Sequence, residues 1–456
     1  MSSPALAIHA HRRRQRSRLV PNYQGVEFCE MPLPVTTEPW PKFEGRRLSD
    51  LANENYDAPR EELRERIGHK PFIWPNRTMY FFCDVHADAD AWRRSLIASG
   101  GVRWLGPGDD EYELSEDGRD ALFVIAGDCF DKGPSTLRLL RAIKLLIDKG
   151  ADVEILAGNH DLRTLVGLAY LGRKEPRFAH LFVRMGQKTM PLFQEIRAQY
   201  LEPGDTSELS EDDLHELLFP DEEWFRRFPS VAKGLVPEKK IGKELKRIRE
   251  KMVELPRKCE ALDMSLGDIH RATTRARELF LEPEGEFHWY FERMDVARRW
   301  GSFLLVHAGV DDVTAGLLAE HNVSGANTWF HRLLADDPFE LYHGPIGNMF
   351  RTKYRDFDHR FTDAGVEHMY EAGLYGIVHG HQNILRGQRV LMREGLLNFE
   401  CDSSVDCNTR KLAGLSEHGG AVVVFQPNGV ALGISADYPH VKVFDATQVF
   451  PHLTIV

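Results

Sequence analysis

Short apolar runs, each followed directly by polar residues, are the feature that most constrains how this chain can fold. Continuous apolar runs of this length are typical of strands buried on both faces. Five such strands are predicted, at residues 78–83, 121–126, 153–157, 302–306 and 374–378. Helices are predicted between the early strands, at 91–99 and at 135–149, where Gly150 is a typical helix stop. This alternation predicts a largely parallel, buried sheet.

The segments around these strands divide the chain into an arm, two core halves and an insertion. The first segment is rich in proline, arginine and glutamate, and it predicts an extended arm with a helix near Pro59–Ile67. A long charged segment is mostly helical, for example at Lys239–Leu255 and Leu262–Phe280. The predicted boundaries are 1–70 for the arm, 71–161 and 299–456 for the core halves, and 162–298 for the helical insertion. We interpret the insertion as a cap that gates a site in the core, or alternatively as a structural buttress or oligomer contact.

The C-terminal part is rich in predicted strands. Gly420–Gln426 and Val430–Ile434 flank an Asn428-Gly429 pair, which is a strong hairpin signal. A further strand is predicted at Leu396–Phe399. The two core halves together predict an α/β fold of two packed β-sheets flanked by helices, with the helical insertion between them.

The charge of the chain argues against a nucleic-acid partner. Its 69 acidic and 58 basic residues give a formal net charge of −11, whereas nucleic-acid binders usually present a basic face. The exception is a basic run at residues 11–18. Two interpretations of this run are open: a solvated, disordered tail, since like charges repel, or a tail that contacts phosphates or acidic partners.

The sequence favours a cytoplasmic protein. It contains no stretch of 18 apolar residues, so no membrane span is predicted, and its start lacks the apolar segment of a secretory signal. Six cysteines are scattered without paired spacing, which fits a reducing compartment. The sequence does not indicate an oligomeric state.

Polar, metal-competent residues follow each of the five predicted strands. Alone, each cluster has an ordinary explanation, such as a turn, a helix N-cap or a buried structural histidine. The clusters are Asp84 and His86, then Asp128 and Asp131, then Asn159 and His160, then His307, and finally His379 and His381. Because ligand sites in α/β sheets lie beyond the carboxyl ends of strands, five such ends predict one shared crevice.

The residue types in these clusters suit a pair of divalent cations. Two cations about 3.5–4 Å apart need a bridging carboxylate, and Asp128 is the natural candidate. Mixed oxygen and imidazole ligands favour Mn, Fe, Zn or Ni over Ca or Mg. Clustered metal charge lowers the pKa of a bound water, which makes hydroxide available at neutral pH.

The five clusters resemble the signature of the calcineurin-like metallophosphoesterase superfamily. That signature runs Asp-x-His, Gly-Asp-x-x-Asp-[Arg/Lys]-Gly, Gly-Asn-His-[Asp/Glu], a His-x-Gly block and a Gly-His block, and all five occur here in order. The resemblance covers residues 78–165 and 300–426. It implies two metal ions, a sandwich fold and a phosphoester hydrolase.

Specific roles follow from this resemblance. It implies six metal ligands: Asp84 and His86 for a first ion, Asn159, His307 and His381 for a second, and Asp128 between them. His160 would be the general acid that protonates the leaving oxygen, and Asp131 would orient it. A leaving alkoxide needs a proton, and a histidine held by a carboxylate can donate one.

Within the superfamily, the chain looks nearest to phosphoprotein phosphatases and to bacterial dinucleoside-tetraphosphate hydrolases. The stretch Leu333–Pro338 resembles a conserved stretch of that branch, and a downstream arginine clamps phosphate there. Arg351 is the best match for that arginine, although Arg355 lies close by, and a surface salt bridge is the other interpretation. Arg163, directly after the Gly-Asn-His-Asp block, is a further candidate to face the phosphate.

Four positions near the motifs depart from this pattern or extend it. Lys132 stands where protein phosphatases usually have a phosphate-binding arginine, and lysine lacks the bidentate fork. Asn383 stands where many phosphodiesterases of the superfamily have a second histidine. His379 is an additional imidazole beside the site, which we expect either to support a ligand or contact the substrate, or to serve in packing. Asp402 is expected either to line the crevice or to form a turn.

The function predicted from these features is phosphomonoester hydrolysis, by in-line attack of metal-bound hydroxide on phosphorus. The substrate is a phosphoprotein or a small phosphorylated metabolite, and a cap favours the small molecule. The alternative is cleavage of a dinucleoside polyphosphate or other pyrophosphate, which needs aromatic stacking. Candidate stacking residues, each also a candidate for the core, are Tyr170, Trp289, Tyr290 and Trp329.

Two other classes of function are less consistent with the sequence. A nuclease or cyclic-nucleotide diesterase conflicts with the acidic charge and with Asn383. A non-catalytic scaffold conflicts with the intact set of ligand residues, because an inactive relative usually loses at least one of them.

Overall fold

A computed structural model describes residues 19–40, 64–202, 208–355 and 358–456 of the chain. The basic run at 11–18 lies outside the described residues. The same holds for most of the helix predicted near Pro59–Ile67, of which residues 64–67 are described and helical. No helix within the described ranges is both long enough and apolar enough to cross a membrane.

Seventeen strands are present in the described part of the chain. They are β1 (Thr37–Pro39), β2 (Ile73–Trp74), β3 (Met79–Phe82), β4 (Val102–Trp104), β5 (Tyr112–Leu114), β6 (Leu122–Ile125), β7 (Asp152–Leu156), β8 (Met294–Asp295), β9 (Ala297–Trp300), β10 (Phe303–Val306), β11 (Gly376–His379), β12 (Arg389–Arg393), β13 (Leu396–Glu400), β14 (Ala421–Gln426), β15 (Val430–Ser435), β16 (Val441–Asp445) and β17 (Thr454–Ile455). Every strand predicted from an apolar run therefore occurs, within two residues of its predicted ends.

The strands form two large sheets and two small ones. The first sheet has eight strands in the order β1-β16-β15-β14-β3-β6-β7-β8, and the second has five in the order β12-β13-β11-β10-β9. The pairs β3–β6, β6–β7 and β7–β8 are parallel, as are β10–β11 and β11–β13. Two short pairs, β17–β2 and β4–β5, complete the strands. The carboxyl ends of β3, β6 and β7 thus lie at one edge of the first sheet.

Helices surround these sheets and fill the insertion. They are α1 (Ala89–Ser99), α2 (Glu116–Arg119), α3 (Thr136–Asp148), α4 (Asn159–Ala169), α5 (Leu181–Met185), α6 (Met190–Tyr200), α7 (Glu211–Leu218), α8 (Glu222–Ala232), α9 (Glu238–Ala261), α10 (Leu266–Leu281), α11 (His288–Glu292), α12 (Asp312–Asp336), α13 (Pro338–His343), α14 (Ile346–Met349), α15 (Asp363–Glu371) and α16 (Cys407–Ala413). Helix α12 is broken at Asn322, whose φ is +56°. Short 3-10 turns lie at Val26–Phe28, Gly186–Thr189 and Ala446–Gln448.

The two large sheets pack face to face around an aromatic core. Side chains along a strand alternate between its two faces, so Met79 and Phe81 belong to the core between the sheets, whereas Tyr80 and Phe82 pack on the helical side. Between the sheets, the ring of Phe425 lies 5.4 Å from that of Phe303 and 5.4 Å from that of Phe399. The predicted fold class, two packed sheets flanked by helices, is confirmed.

The helical insertion connects two neighbouring strands of the first sheet. It leaves after β7 and returns at β8, which pairs with β7 in parallel through Leu156 and Asp295. One residue, Val296, then separates β8 from β9, so the chain passes directly into the second sheet. The last residues of the predicted range 162–298 therefore include a short strand of the first sheet and the start of β9.

Candidate metal centre

The strand ends at the site turn into a backbone conformation that non-glycine residues rarely adopt. Left-handed φ angles occur at Asp84 (+53°), His86 (+48°), Asp128 (+57°), Asp131 (+65°) and His381 (+67°). This conformation costs on the order of 1–2 kcal/mol for a residue with a side chain. Such strain persists where surrounding contacts impose it, and it clusters at functional sites. The turns bring these side chains together at the edge of the sheets.

Four of the predicted ligands form one buried group. The ligand atoms of Asp84, Asp128, His307 and His381 all lie within 4.8 Å of one another. Nε2 of His307 lies 3.6 Å from Oδ1 of Asp128, and the backbone N–H of His381 donates to Oδ2 of Asp84 at 2.9 Å. Asp84 also packs tightly against Gly380, where an added Cβ would lie 2.1 Å from the carboxylate. A side chain at position 380 would therefore displace Asp84.

A second group shares Asp128 with the first. It contains His86, Asp128 and His160, with ligand atoms again within 4.8 Å of one another. Nε2 of His86 lies 3.8 Å from Asp128 Oδ2 and 3.8 Å from Asp84 Oδ1, so this imidazole borders both groups. Nε2 of His160 lies 3.9 Å from Asp128 Oδ2. Asp128 is thus positioned between the two groups.

Backbone carbonyls orient two of the imidazoles. Nδ1 of His307 lies 2.7 Å from the carbonyl of Ala126, and Nδ1 of His86 lies 3.1 Å from that of Phe130. If each Nδ1–H donates there, each Nε2 keeps a lone pair directed at the site. Nε2 of His86 instead accepts from Lys132 Nζ at 2.5 Å. One lone pair cannot accept a hydrogen bond and bind a metal at the same time. Metal binding at His86 therefore requires Lys132 to move away from Nε2.

Two buried atoms without a hydrogen-bond partner bear on whether the site fits a divalent cation. Oδ1 of Asn159 and Nε2 of His307 are buried and have no hydrogen-bond partner among the described residues. Buried polar atoms of native proteins are nearly always paired, so both atoms need a partner that the described residues do not supply. Carboxylate, amide and imidazole donors together are a suitable set for a divalent transition metal. The residues present fit such an ion.

The electrostatics of the site also favour cations. Burial, followed by the neighbouring charges of Asp402 and Asp128, raises the pKa of Asp84 well above its usual value. Burial lowers the pKa of His86 and of His381, which keeps both imidazoles neutral. Metal ligands must be deprotonated carboxylates and neutral imidazoles. A bound cation would supply the positive charge that this cluster of carboxylates lacks.

Asp161 holds the loop that carries Asp128, a role that the sequence analysis did not assign. Its carboxylate accepts from the N–H groups of Asp128 (2.7 Å), Cys129 (2.9 Å) and Gly158 (3.1 Å). Burial raises the pKa of Asp161 to about 7, and the Asp128 carboxylate adds to this effect. The fourth position of the Gly-Asn-His-Asp block was the available signal. Asp161 therefore positions a candidate ligand.

The predicted acid and its predicted orienting residue are in contact. Nδ1 of His160 lies 2.8 Å from Oδ2 of Asp131, and the same carboxylate also accepts from Arg163 and from Thr189 Oγ1. Burial, followed by the charges of Arg163, Lys132 and Lys188, lowers the pKa of His160 well below its usual value. A phosphate dianion beside the ring would oppose this effect, because nearby negative charge favours the imidazolium.

A cavity of about 610 Å³ opens above these groups. It lies between the strand ends, helix α9 of the insertion and the segment that follows α13. The predicted site residues that line it are Asp84, Asp128, Lys132, Asn159, His160, Arg163, Arg351 and His381. His86, Asp131 and His307 lie directly behind them, in the contacts given above. Most of the predicted site residues are therefore brought together.

His379 is not brought to this cavity. It is fully buried in β11, opposite Glu400 of β13, and Nδ1 lies 3.0 Å from the carbonyl of Gly380. Burial lowers its pKa to about 4, although Glu400 opposes this effect. The position of His379 therefore does not support the predicted contact with substrate.

The remaining residues singled out in the sequence lie at different positions relative to the cavity. Arg355 lines the cavity as Arg351 does, and Asn383 also lines it. Asp402 is buried and accepts from the N–H of Asn383 at 2.7 Å, so it acts behind the cavity wall. The four candidate stacking residues do not line the cavity: Tyr290 is fully buried, and Tyr170 lines a separate pocket. The cavity thus offers no predicted platform for a base.

Basic residues of the insertion were missed by the sequence analysis. Lys240, Lys243, Arg247 and Lys251 all line the cavity from helix α9. Their spacing of three, four and four residues places them on one face of a helix, and this spacing was readable from the sequence. Arg184, Tyr342 and Lys353 also line the cavity, but no local pattern marked them.

The fold and the site together define an α/β sandwich with a buried centre suited to divalent cations. The family model described as calcineurin-like phosphoesterase matches residues 78–254. This range contains the first three motif blocks, whereas His307 and His381 lie outside it. The match supports the superfamily resemblance and, at that level, a metal-binding phosphoesterase.

Two phosphatases of known structure resemble the chain only at low sequence identity. A cold-active protein-tyrosine phosphatase of a psychrophilic Shewanella species is 15% identical, with coverage of 89% of this chain and 90% of that chain and a TM-score of 0.43. A protein serine/threonine phosphatase from Saccharomyces cerevisiae is 10% identical, with coverage of 84% and 85% and a TM-score of 0.37. Scores this low carry no conclusion about function. No curated protein sequence matches the chain.

Proposed function

We propose that the protein is a phosphomonoesterase that depends on two divalent metal ions and acts on a small phosphorylated molecule. The observation that carries this proposal is the position of Asp128, which belongs to two adjacent groups of buried ligand atoms. A carboxylate shared in this way is what a two-metal centre requires. The family match over residues 78–254 supports the same class of reaction.

The proposed metal ligands are the six residues that the sequence predicted. Asp84, His86, Asp128, Asn159, His307 and His381 would hold the ions, and we propose manganese, iron, zinc or nickel. When bound, such ions activate a water molecule and stabilise negative charge on phosphoryl oxygens. The chain itself supplies part of the frame, since strained turns carry Asp84, His86, Asp128 and His381, and Asp161 holds the loop of Asp128.

His160 is the proposed general acid, and Asp131 its positioning residue. The contact of 2.8 Å between them would keep the Nε2 edge of the ring directed at the cavity, which His160 lines. A proton donated from this position would reach a leaving oxygen bound beside the metal centre. Lys132, Arg163 and Arg351 line the same cavity and are the proposed phosphate contacts.

The shape of the cavity supports a small substrate over a phosphoprotein. Helix α9 forms one wall, so the site is a pocket between core and cap. Its volume of about 610 Å³ falls in the range of about 300–1,000 Å³ that is usual for small-molecule sites. A dinucleoside polyphosphate is the alternative substrate, but the candidate stacking residues lie away from the cavity.

The proposal is tested by metal-dependent turnover. Metal-stripped protein would be assayed with p-nitrophenyl phosphate, bis-p-nitrophenyl phosphate and a dinucleoside tetraphosphate after addition of Mn, Ni, Zn, Fe or Mg. We expect activity with p-nitrophenyl phosphate to return with a transition metal and to be lost in Asp128→Asn. The exposed Asp120→Asn is the matched control and should retain activity.

Two outcomes would contradict the proposal. A preference for the diester or for the dinucleotide would assign the site to the alternative reactions. Turnover that persists in Asp128→Asn, or that needs no metal, would show that this cluster is not the catalytic centre. Metal content measured in both variants links any loss of turnover to loss of the ions.

A further inference from the structure

The cavity above the metal centre is strongly basic, although the protein as a whole is acidic. Among the described residues that line it, eleven are lysine or arginine and four are carboxylates, in a chain whose net charge is −11. Two of these carboxylates, Asp84 and Asp128, are proposed metal ligands. A low-dielectric pocket lined by one sign of charge focuses its field and concentrates counter-ions. The cavity therefore attracts anions.

Several of these cations lack an acidic partner. Among the residues that the structure describes, Lys188, Arg247 and Arg351 form no ion pair. The guanidinium groups of Arg184 and Arg351 both lie near the ring of Tyr342, at 4.5 and 4.7 Å from its centroid. Positive groups are thus concentrated in one region without equal neutralisation.

Nearby positive charge contributes to the pKa shifts of two groups in this region. Burial alone would raise the pKa of Tyr342, but the charges of Arg184, Arg351 and Arg163 lower it to about 7. Burial, with further contributions from Arg163, Arg184 and Arg247, also lowers the pKa of Lys251 to about 7. Nearby positive charge favours a phenolate and disfavours an ammonium, and at Lys251 it adds to the larger effect of burial.

The basic region extends well beyond one phosphate group. Along helix α9, the positions from Lys240 to Lys251 span about 16 Å at the rise of an α-helix. A second pocket of about 440 Å³ continues from the first and shares Arg163, Lys188, Lys243, Arg247 and Lys251 with it. One phosphate at the metal centre would leave Lys188 and Arg247, which form no ion pair among the described residues, without a counter-charge.

The lining also limits what else the ligand can contain. Val236 is the only aliphatic residue among the 22 described residues that line the main cavity. Tyr342 is the only tyrosine, tryptophan or phenylalanine among these described lining residues, and it is 6% exposed. A purine or a long acyl group would therefore meet charged side chains rather than an apolar or stacking surface. The ligand is expected to be polar apart from its phosphates.

We propose that the substrate is a small polar molecule with at least two phosphate groups, one at the metal centre and another held by the cap. This inference rests on the proposed function, because it takes the metal centre as the site of hydrolysis. The cap residues that would hold the second phosphate include Lys188, Lys243, Arg247 and Lys251. They would select a multiply phosphorylated substrate over a singly phosphorylated one.

Equilibrium binding tests this inference without turnover. The full chain, dialysed after addition of Mn²⁺, would be titrated calorimetrically with n-butylphosphonate, butane-1,4-diphosphonate and methylenediphosphonate. These carry one phosphonate, two separated phosphonates and two adjacent phosphonates, and phosphoester hydrolysis cannot cleave their C–P bonds. We expect at least one diphosphonate to bind about tenfold more tightly than butylphosphonate, as one added charge-assisted hydrogen bond would give.

Paired variants assign this advantage to the cap. The double variant Lys188→Ala with Arg247→Ala should lose most of it, whereas Lys188→Arg with Arg247→Lys should keep a large part. Lys239→Ala with Arg257→Ala is the matched control, because both residues lie on α9 away from the two pockets. The preferred diphosphonate would show whether the phosphates of the substrate are separated or adjacent.

Equal affinity for all three ligands would overturn the inference, and so would an advantage that survives in the alanine double variant. These readouts are independent of catalysis. A failure of the proposed function would show as absent metal-dependent turnover, whereas a failure of this inference would show in the affinity ratio.

Discussion

Two chemical roles are open to His160, and an experiment can distinguish them. Its imidazole could bind metal beside Asp128 or protonate the leaving group beside Asp131. An acid matters most when the leaving oxygen is strongly basic. We predict that His160→Asn lowers kcat by about 10²–10⁴-fold for an alkyl phosphate, as is usual for loss of a general acid, and much less for p-nitrophenyl phosphate.

Metal content decides how that result is interpreted. If His160 acts as the acid, the variant should bind as much manganese as the wild type, measured by mass spectrometry after dialysis. An equal loss for both substrates, accompanied by loss of metal, would instead assign His160 to the ligand set.

At the residue scale, the motifs predicted which side chains lie close together where strand ends impose the geometry. Asp84, Asp128 and His381 each lie in a turn directly after a strand, so their order in the chain indicates their convergence. His379 was different, because it lies within β11, where side chains alternate between faces. Its closeness in sequence to His381 did not indicate a shared environment, since the chain turns sharply between them.

At the scale of elements, a buried ion-pair network joins β12 to β13. Glu400 is fully buried and contacts both Arg389 and Arg393, the latter at 3.1 Å. Burial alone would raise the pKa of Glu400, but His379, Arg389 and Arg393 hold it below its usual value. We predict that Glu400→Gln lowers the free energy of unfolding by about 3 kcal/mol, since two arginines lose their counter-charge.

Urea denaturation at neutral pH measures this effect, with the exposed Glu371→Gln as the control. The folded pKa of Glu400 is depressed, so its contribution is present above the unfolded pKa and is lost as pH falls through the folded pKa. The difference between wild type and variant should therefore narrow in acid. A variant as stable as the wild type at neutral pH would contradict the role given to this network.

Lys251 of helix α9 lowers the free energy of unfolding by an amount that depends on pH. Lys251 donates to the backbone carbonyls of Arg184 and Met185, yet its pKa is lowered from 10.5 to about 7. The unfolded chain therefore binds this proton more tightly than the folded protein. The resulting penalty on folding grows as pH falls from about 10.5 towards about 7 and stays constant below that.

Lys251→Met removes this penalty together with two hydrogen bonds. We predict that the stability of the variant relative to wild type increases as pH is lowered from about 9 to about 6.5, because only the wild type must bury the charge. Urea unfolding across this range tests the trend, and the exposed Lys239→Met should show none. A difference that is independent of pH would rule out the lowered pKa.

Elements with strong apolar periodicity were predictable, and elements without it were not. The buried strands and α3 follow directly from their apolar patterns. The strands β8 and β9, by contrast, contain Met294–Asp295 and Ala297–Trp300, which are short and carry two exposed arginines. Their pairing depends on neighbours brought close by the fold, so no local signal could mark them. The basic face of α9 could be predicted from the spacing of its residues, but its position above the proposed metal centre could not.

At the scale of the whole molecule, the proposed metal centre connects the two large sheets. Asp84, Asp128 and Asn159 follow strands of the first sheet, whereas His307 and His381 follow strands of the second. An ion held by ligands from both sheets binds only the folded arrangement. We predict that manganese at about 100 times its Kd stabilises the protein by about 2.7 kcal/mol per site, seen as a higher Tm.

Calorimetry with and without manganese measures this effect. Calcium, which prefers oxygen ligands, should stabilise the protein less. The variant Asp128→Asn should lose the increase in Tm that manganese gives to the wild type. An unchanged Tm for the wild type with saturating manganese would contradict a site that spans both sheets.

The route of the insertion has a consequence for how such proteins can diversify. The insertion departs after β7 and rejoins at β8, two strands that are direct neighbours, so no described strand lies between them in the sheet. Its length and sequence are therefore free to change while the reaction centre keeps its register. If the insertion selects the substrate, as proposed, recombination at these two points would exchange one substrate preference for another. Chimeras that carry a foreign cap between residues 170 and 293 offer a way to transplant substrate preference onto an unaltered catalytic core.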